Sequence, residues 1–258
     1  TRGRLVNGLT KTIDGPVSVI GDVHGQLDML VDIIEQLRRR PDFEERWLVF
    51  IGDFVDRGTD PCGVMDLIVD LMNSHQQCTA IAGNHELAMA ASLGWIPTPE
   101  FCNWDERWVN HYDSESTFES YGATHGDLTG LNANVPEAHK HLIADLPWCV
   151  EHPQYLFVHA GLDPNIPFDT QLRILRQRDF SLTRPPWLCS KTLVNSHPPR
   201  DCRATVVSGH EYVPAVQFSR HRILLDTTGG RQGDMSCVLL PEKQVLISSG
   251  RKASHTKV

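Results

Sequence analysis

Six residues in this chain have the types and spacing to hold a pair of metal ions. Asp22 and His24 stand two apart in GDVHG, Asp53 opens DFVDRG after a glycine, and Asn84 follows the glycine of GNHE. His159 in HAG and His210 after Gly209 complete the set. In extended chain an i, i+2 pair points to one side, so Asp22 and His24 can reach one ion. Two divalent ions about 3.5–4 Å apart suit in-line phosphoryl hydrolysis. They need a shared carboxylate, and Asp53, in the central motif, is the natural bridge. Asp22 and His24 would complete one ion with it, and Asn84, His159 and His210 the other. Mixed nitrogen and oxygen ligands suit Mn, with Fe, Zn or Ni as alternatives, and argue against Ca. A water between two such ions loses its proton near neutral pH and attacks phosphorus. A single Asp or His after a strand is usually a turn or cap residue. Six compatible ones at successive strand ends are hard to explain that way.

Three neighbours have separate jobs. The planar guanidinium of Arg57 makes bidentate contacts to phosphate; the plainer reading is a salt bridge to Asp60 or Asp28. His85 adjoins a ligand without being needed as one and can protonate a leaving-group oxygen. Asp56 can accept a hydrogen bond from His85 and fix its tautomer. A structural role for His85 in its turn is the competing reading.

The elements that must position these residues alternate. Residues 17–21, 47–52 and 79–83 are short apolar runs ending in Gly-Asp, Gly-Asp and Gly-Asn. Helical periodicity follows each, over 26–39, 61–71 and 86–93. Strand alternating with helix implies a parallel sheet. Asp22 and Asp53 are 31 residues apart, as are Asp53 and Asn84, and a βαβ unit takes roughly 30 residues. The polar residues therefore fall at the carboxyl ends of neighbouring strands, where open α/β sheets place their sites. Residues 94–147 break this rhythm and read as an inserted, mostly helical cap. Trp95, Trp104, Trp108 and nearby Trp148 are expected to pack it, with a substrate-facing surface as the other reading. Later strands are expected at 155–158, 205–208 and 223–225, with a hairpin over 236–247. No linker interrupts the chain, so residues 1–258 read as one domain, with a polar tail over 250–258.

Composition bounds the rest. A net charge of −8 over 258 residues argues against non-specific nucleic-acid binding, which needs cations to neutralise phosphates. No apolar run reaches the ~18 residues of a membrane span, and the opening TRGRLVNGLT has no apolar signal-type stretch. The seven cysteines are scattered, without C-x-x-C, which suits free thiols in a reducing, cytoplasmic compartment.

With these motifs in order, the sequence resembles the phosphoprotein phosphatase family of metallophosphoesterases over residues 16–240. GDVHG, GDFVDRG, GNHE, HAG and the later Gly-His carry the resemblance. Phe118-Glu-Ser-Tyr-Gly122, Pro136-Glu-Ala-His139 and Ala160-Gly-Leu-Asp-Pro164 are similar to its bacterial and phage-type branch. The resemblance implies a four-layered α/β/β/α sandwich with a helical insertion. It implies Asp22, His24, Asp53, Asn84, His159 and His210 as ligands, His85 as general acid oriented by Asp56, and Arg57 and Asn84 at the substrate phosphate. It also implies a second phosphate-binding arginine at Arg178, although Arg173 and Arg176 are close by and a solvated basic face is the competing reading. Glu211 stands where a Thr is common, and Leu225-Asp-Thr-Thr-Gly229 has one extra Thr. The expected substrate is a phosphorylated protein. The related symmetrical dinucleoside tetraphosphatases share nearly all the ligands but typically lack the Asp at position 56. An inactive phosphoprotein-binding scaffold is a third reading, and it should have lost ligands or His85; none is missing.

Overall fold

The computed structural model describes residues 9–249; the polar tail expected over 250–258 lies outside them. The first half runs β1 (Val17–Ile20), α1 (Leu27–Arg38), β2 (Trp47–Phe50), α2 (Pro61–Ser74), β3 (Cys78–Ala80) and α3 (Asn84–Ser92). Four short helices then fill the insertion: α4 (Trp104–His111), α5 (Glu115–Ser120), α6 (Leu128–Asn134) and α7 (Glu137–Asp145). The second half contains β4 (Cys149–Glu151), β5 (Tyr155–Val158), α8 (Phe168–Gln177), α9 (Pro186–Cys189), α10 (Lys191–Asn195), β6 (Thr205–Ser208), β7 (Gln217–Phe218), β8 (Arg222–Leu224), β9 (Ser236–Leu240) and β10 (Gln244–Ile247).

The strands form two five-stranded sheets, ordered β10-β9-β1-β2-β3 and β4-β5-β6-β8-β7. β1, β2 and β3 pair in parallel, as the 31-residue spacing requires, while β9 joins β1 antiparallel. Alternation along the strands decides the layers. Val17, Val19, Val49 and Ile51 from one sheet meet Tyr155, Phe157, Val207 and Ile223 from the other in one buried cluster. Ile20, Leu48, Phe50, Leu156, Val158 and Val206 point the opposite way and pack with the helices in a second cluster. The result is the four-layered α/β/β/α sandwich.

One buried cation secures the edge behind the site. Arg46, 2% exposed, donates to the carbonyls of Val17 and Leu240 and pairs with Asp42 and Glu242. Hydrogen bonds from Arg40 and Arg46 hold the Asp42 carboxyl at about 2, below its ordinary 3.8. A depressed carboxyl stabilises the fold above its unfolded value and loses that effect as pH falls through the folded one. Asp42→Asn is therefore expected to lower stability at pH 7 by about 1 kcal/mol, since Asp42 is partly exposed and screened. The wild type and variant should converge in urea midpoint between pH 4 and pH 2.

Candidate metal centre

The site residues leave the strands in sharp turns. His24, Asp53, Asp56, Arg57 and His210 all have positive φ, between 45° and 71°. Such left-handed backbone is uncommon outside glycine and concentrates where a site demands it. Gly58 allows the turn to close, since a Cβ there would lie 1.9 Å from the His24 carbonyl oxygen. Asp53 also sits at the N-terminus of α3, where the His85 amide donates to its Oδ1 at 3.2 Å; that end of a helix favours an anion.

Two groups of side chains converge. His24, Asp53 and His85 form one and Asp53, His159 and His210 the other, with the ligand atoms in each within 4.8 Å of one another. Asp53 belongs to both, the position expected of a bridging carboxylate. His24 Nδ1 donates to the Val55 carbonyl at 3.0 Å and His159 Nδ1 to the Ile51 carbonyl at 2.8 Å. Tying Nδ1 to a carbonyl turns Nε2 inward as the ligand atom. His159 Nε2 then lies 3.2 Å from Asp53 Oδ2, 3.2 Å from Asn84 Oδ1 and 3.2 Å from His210 Nδ1. Asp22 Oδ1 and His210 Nε2 are buried with no hydrogen-bond partner. Crowded lone pairs and orphaned donor atoms of this kind fit divalent cations.

Asp22 departs in detail from the expected grouping. It is buried, but its Oδ2 accepts the His210 amide at 2.9 Å and it is in neither convergent group. His85 takes the place beside His24 and Asp53, its Nε2 3.9 Å from Asp53 Oδ2. Its other nitrogen is committed, because Nδ1 lies 2.7 Å from Asp56 Oδ2 as the donor to that carboxylate.

The charges interlock. Burial alone would raise the Asp53 carboxyl, but His159, His85 and His24 outweigh it and hold it well below the usual range. Burial would lower His159, yet Asp53 and Asp22 raise it to about 10. Burial, then the repulsion of His159, lowers His210 to about 3. Burial, then Asp226, pushes Asp22 well up.

A cavity of about 940 Å³ opens over this cluster, lined by Arg57, Asn84, His85, Tyr112 and His210 among others. Arg57 Nη1 donates to the Gly229 carbonyl at 3.2 Å, and Nε lies 4.0 Å from Asp113. Neither Asp60 nor Asp28 is its partner; Asp60 accepts the Gly63 amide at the start of α2. Arg178 is not at the cavity, which corrects the expectation of a phosphate contact there. It ends α8 with φ 54°, donates to the Ala144 and Leu146 carbonyls, and stacks over Phe180. Arg107 and Arg184 line the cavity instead. Arg176 pairs with Glu151 and Arg173 is exposed, so those two form a surface basic face.

Sequence reasoning also missed Glu86 and the inserted side chains around Asp56. Glu86 accepts the amides of Asp53, Phe54, Val55 and Gly83, and so fixes the loop carrying Asp53. Its signal was a Glu at the third residue of a helix start. The unusual residues 211 and 228 have local partners. Glu211 pairs with Lys191 at 2.8 Å, and Thr228 donates to the Asp22 carbonyl.

The sequence profile of calcineurin-like phosphoesterases matches residues 15–229. The chain belongs to that family. Members of that family use a dinuclear divalent metal centre. The chain is 26% identical over 170 residues to the symmetrical bis(5'-nucleosyl)-tetraphosphatase of Haemophilus ducreyi, covering 64% of this chain and 52% of that protein. It is 30% identical over 149 residues to serine/threonine-protein phosphatase 1 of Salmonella typhimurium, covering 56% and 58%. The chain thus spans little more than half the length of these two relatives. A solved serine/threonine phosphatase from Saccharomyces cerevisiae shares the fold at TM-score 0.57 and 17% identity, covering 96% of this chain and 86% of that one. All seven cysteines of this phosphoesterase are free thiols, and among its described residues no helix is long and apolar enough to cross a membrane.

Proposed function

We propose that this phosphoesterase is a protein serine/threonine phosphatase of the cytoplasm, built as one catalytic domain and working with two Mn²⁺ ions. The observation that carries this reading is the buried Asp56, whose carboxylate holds His85 at 2.7 Å. That carboxylate is the residue the tetraphosphatase branch is expected to lack. The ions would be held by Asp22, His24, Asp53, Asn84, His159 and His210. Two ions held there would lower the pKa of a water and neutralise charge on the phosphoryl group.

The chain's own groups do the rest. Arg57, at the cavity wall, clamps the phosphate oxygens with its planar fork. His85, anchored through Nδ1, presents Nε2 to the leaving oxygen and supplies its proton. Asp56 fixes the tautomer that makes this possible. The cavity is open and polar enough to admit a phosphorylated side chain still attached to its protein.

The second reading is a symmetrical dinucleoside tetraphosphatase. The basic side chains on the cavity wall, Arg57, Arg107, Arg184, Lys191 and Arg231, would suit a polyphosphate. The two readings separate in one assay with added Mn²⁺, against a phosphoserine peptide, diadenosine tetraphosphate and 4-nitrophenyl phosphate. The peptide should be cleaved with the higher kcat/KM. Strong preference for the dinucleotide overturns the protein-phosphatase reading, and no hydrolysis of any of the three with metal bound overturns the enzyme.

A further inference from the structure

We propose that helix α4 of the insertion positions the general acid through Trp108 and Tyr112, and thereby sets how well poor leaving groups are expelled. The proposal rests on the acid role given to His85 above.

Trp104, Trp108 and Tyr112 are four residues apart, so they form one stripe along α4 and its C-terminal cap. α4 packs against α3, the helix that begins at Asn84 and His85. The stripe reaches the acid by two routes. Trp108 Nε1 donates to Asp56 Oδ2 at 2.9 Å, the same oxygen that takes His85 Nδ1. Thr117 of α5 donates to the other oxygen at 2.6 Å and accepts the Asp56 amide at 2.9 Å. Among the described residues, every side-chain donor to the Asp56 carboxylate other than His85 comes from the insertion. Asp56 is fully buried, where a carboxylate left short of donors is costly.

The second route is steric. The Tyr112 ring stands edge-on to His85, with centroids 4.9 Å apart and planes at 72°. His24 packs on His85 at 4.6 Å and 80°. The Tyr112 hydroxyl lies beside the Asn84 amide. His85 is thus gripped by Asp56, His24 and Tyr112, with Nε2 facing the centre. Trp104 meets Tyr112 edge-on, ring centroids 6.4 Å apart and planes at 64°. Trp108 and Tyr112 are positioning residues, since neither supplies the proton.

The step they serve balances simply. A phosphate monoester and water give an alcohol and orthophosphate. The water oxygen bonds to phosphorus and releases one proton. The ester P–O bond breaks with its electron pair going to the leaving oxygen, which takes the proton of His85 Nε2. A nitrophenolate leaves as a stable anion and needs little of that proton. Phenolate, with a conjugate acid near pKa 10 like that of tyrosine, needs it much more.

The test compares phenyl phosphate with 4-nitrophenyl phosphate on the Mn²⁺-loaded protein. Trp108→Phe and Tyr112→Leu should each lower kcat on phenyl phosphate about ten-fold more than on the nitrophenyl ester. His85→Asn should show the same asymmetry more strongly, and Tyr112→Phe, which keeps the ring, should restore the wild-type ratio. Equal losses on both esters, or no loss on either, overturn the positioning role and leave these residues as core. If Trp108→Phe does not fold, Tyr112→Leu at the cavity edge decides alone. A metal-loaded wild type inactive on both esters overturns the phosphatase reading itself, a result distinct from a wild type that is active but whose variants show no asymmetry.

Discussion

Asp53→Asn is expected to lower kcat/KM by about a thousand-fold or more, the scale of several kcal/mol of lost charge stabilisation in the transition state. Asp53 is the one side chain in both ligand groups. Three histidines surround it, His159 Nε2 at 3.2 Å, His24 Nε2 at 3.5 Å and His85 Nε2 at 3.9 Å. The amide keeps the size and can still accept the His85 amide through its carbonyl. It loses the charge and one of the two oxygens a bridge requires. Both ions should bind weakly, and metal content after dialysis should fall from two per chain. The fold should survive, because relieving a buried carboxylate of its desolvation offsets part of what its histidine contacts contributed. Two retained ions and undiminished turnover would remove Asp53 from the bridging position.

His85→Asn separates acid from ligand. Geometry alone groups His85 with His24 and Asp53, as a third ligand would be grouped. The Asp56 anchor on Nδ1 favours the acid. As an acid, its loss should cut kcat about 10²–10⁴-fold on an alkyl phosphate, the usual range for general acid catalysis. Metal affinity should stay near wild type. Unchanged kcat removes the acid role, whereas loss of one ion with the drop in kcat makes His85 a ligand.

The sheet that carries the site could be read from sequence because two periods agree there. Alternation within β1 and β2 sets which residues face the other sheet, and the 31-residue repeat places Asp22, Asp53 and Asn84 at one edge. Asp53, His159 and His210 converge as their positions after strands suggested. The short elements were harder. The two-residue β7 and three-residue β4 carry too few alternations to register. The sequence around Arg178 resembles that of a phosphate-binding arginine, but its left-handed backbone at the end of α8 turns the side chain toward α7. Nothing local distinguishes it from Arg184. The donors on Asp56 lie 52 and 61 residues downstream, at Trp108 and Thr117. Contacts that distant leave no periodic trace, so the insertion reads as packed aromatics, with a substrate-facing surface as the other reading. The packing reading describes the buried Trp104, Trp108 and Trp148 but misses the hydrogen bond from the Trp108 N–H to Asp56.

The shared-carboxylate metal centre is tested most directly by stripping the protein of metal and titrating Mn²⁺ back while following 4-nitrophenyl phosphate hydrolysis. Turnover should be absent after stripping, rise with added ion and level off at two equivalents per chain. Full turnover without metal, or none with two ions bound, would contradict it.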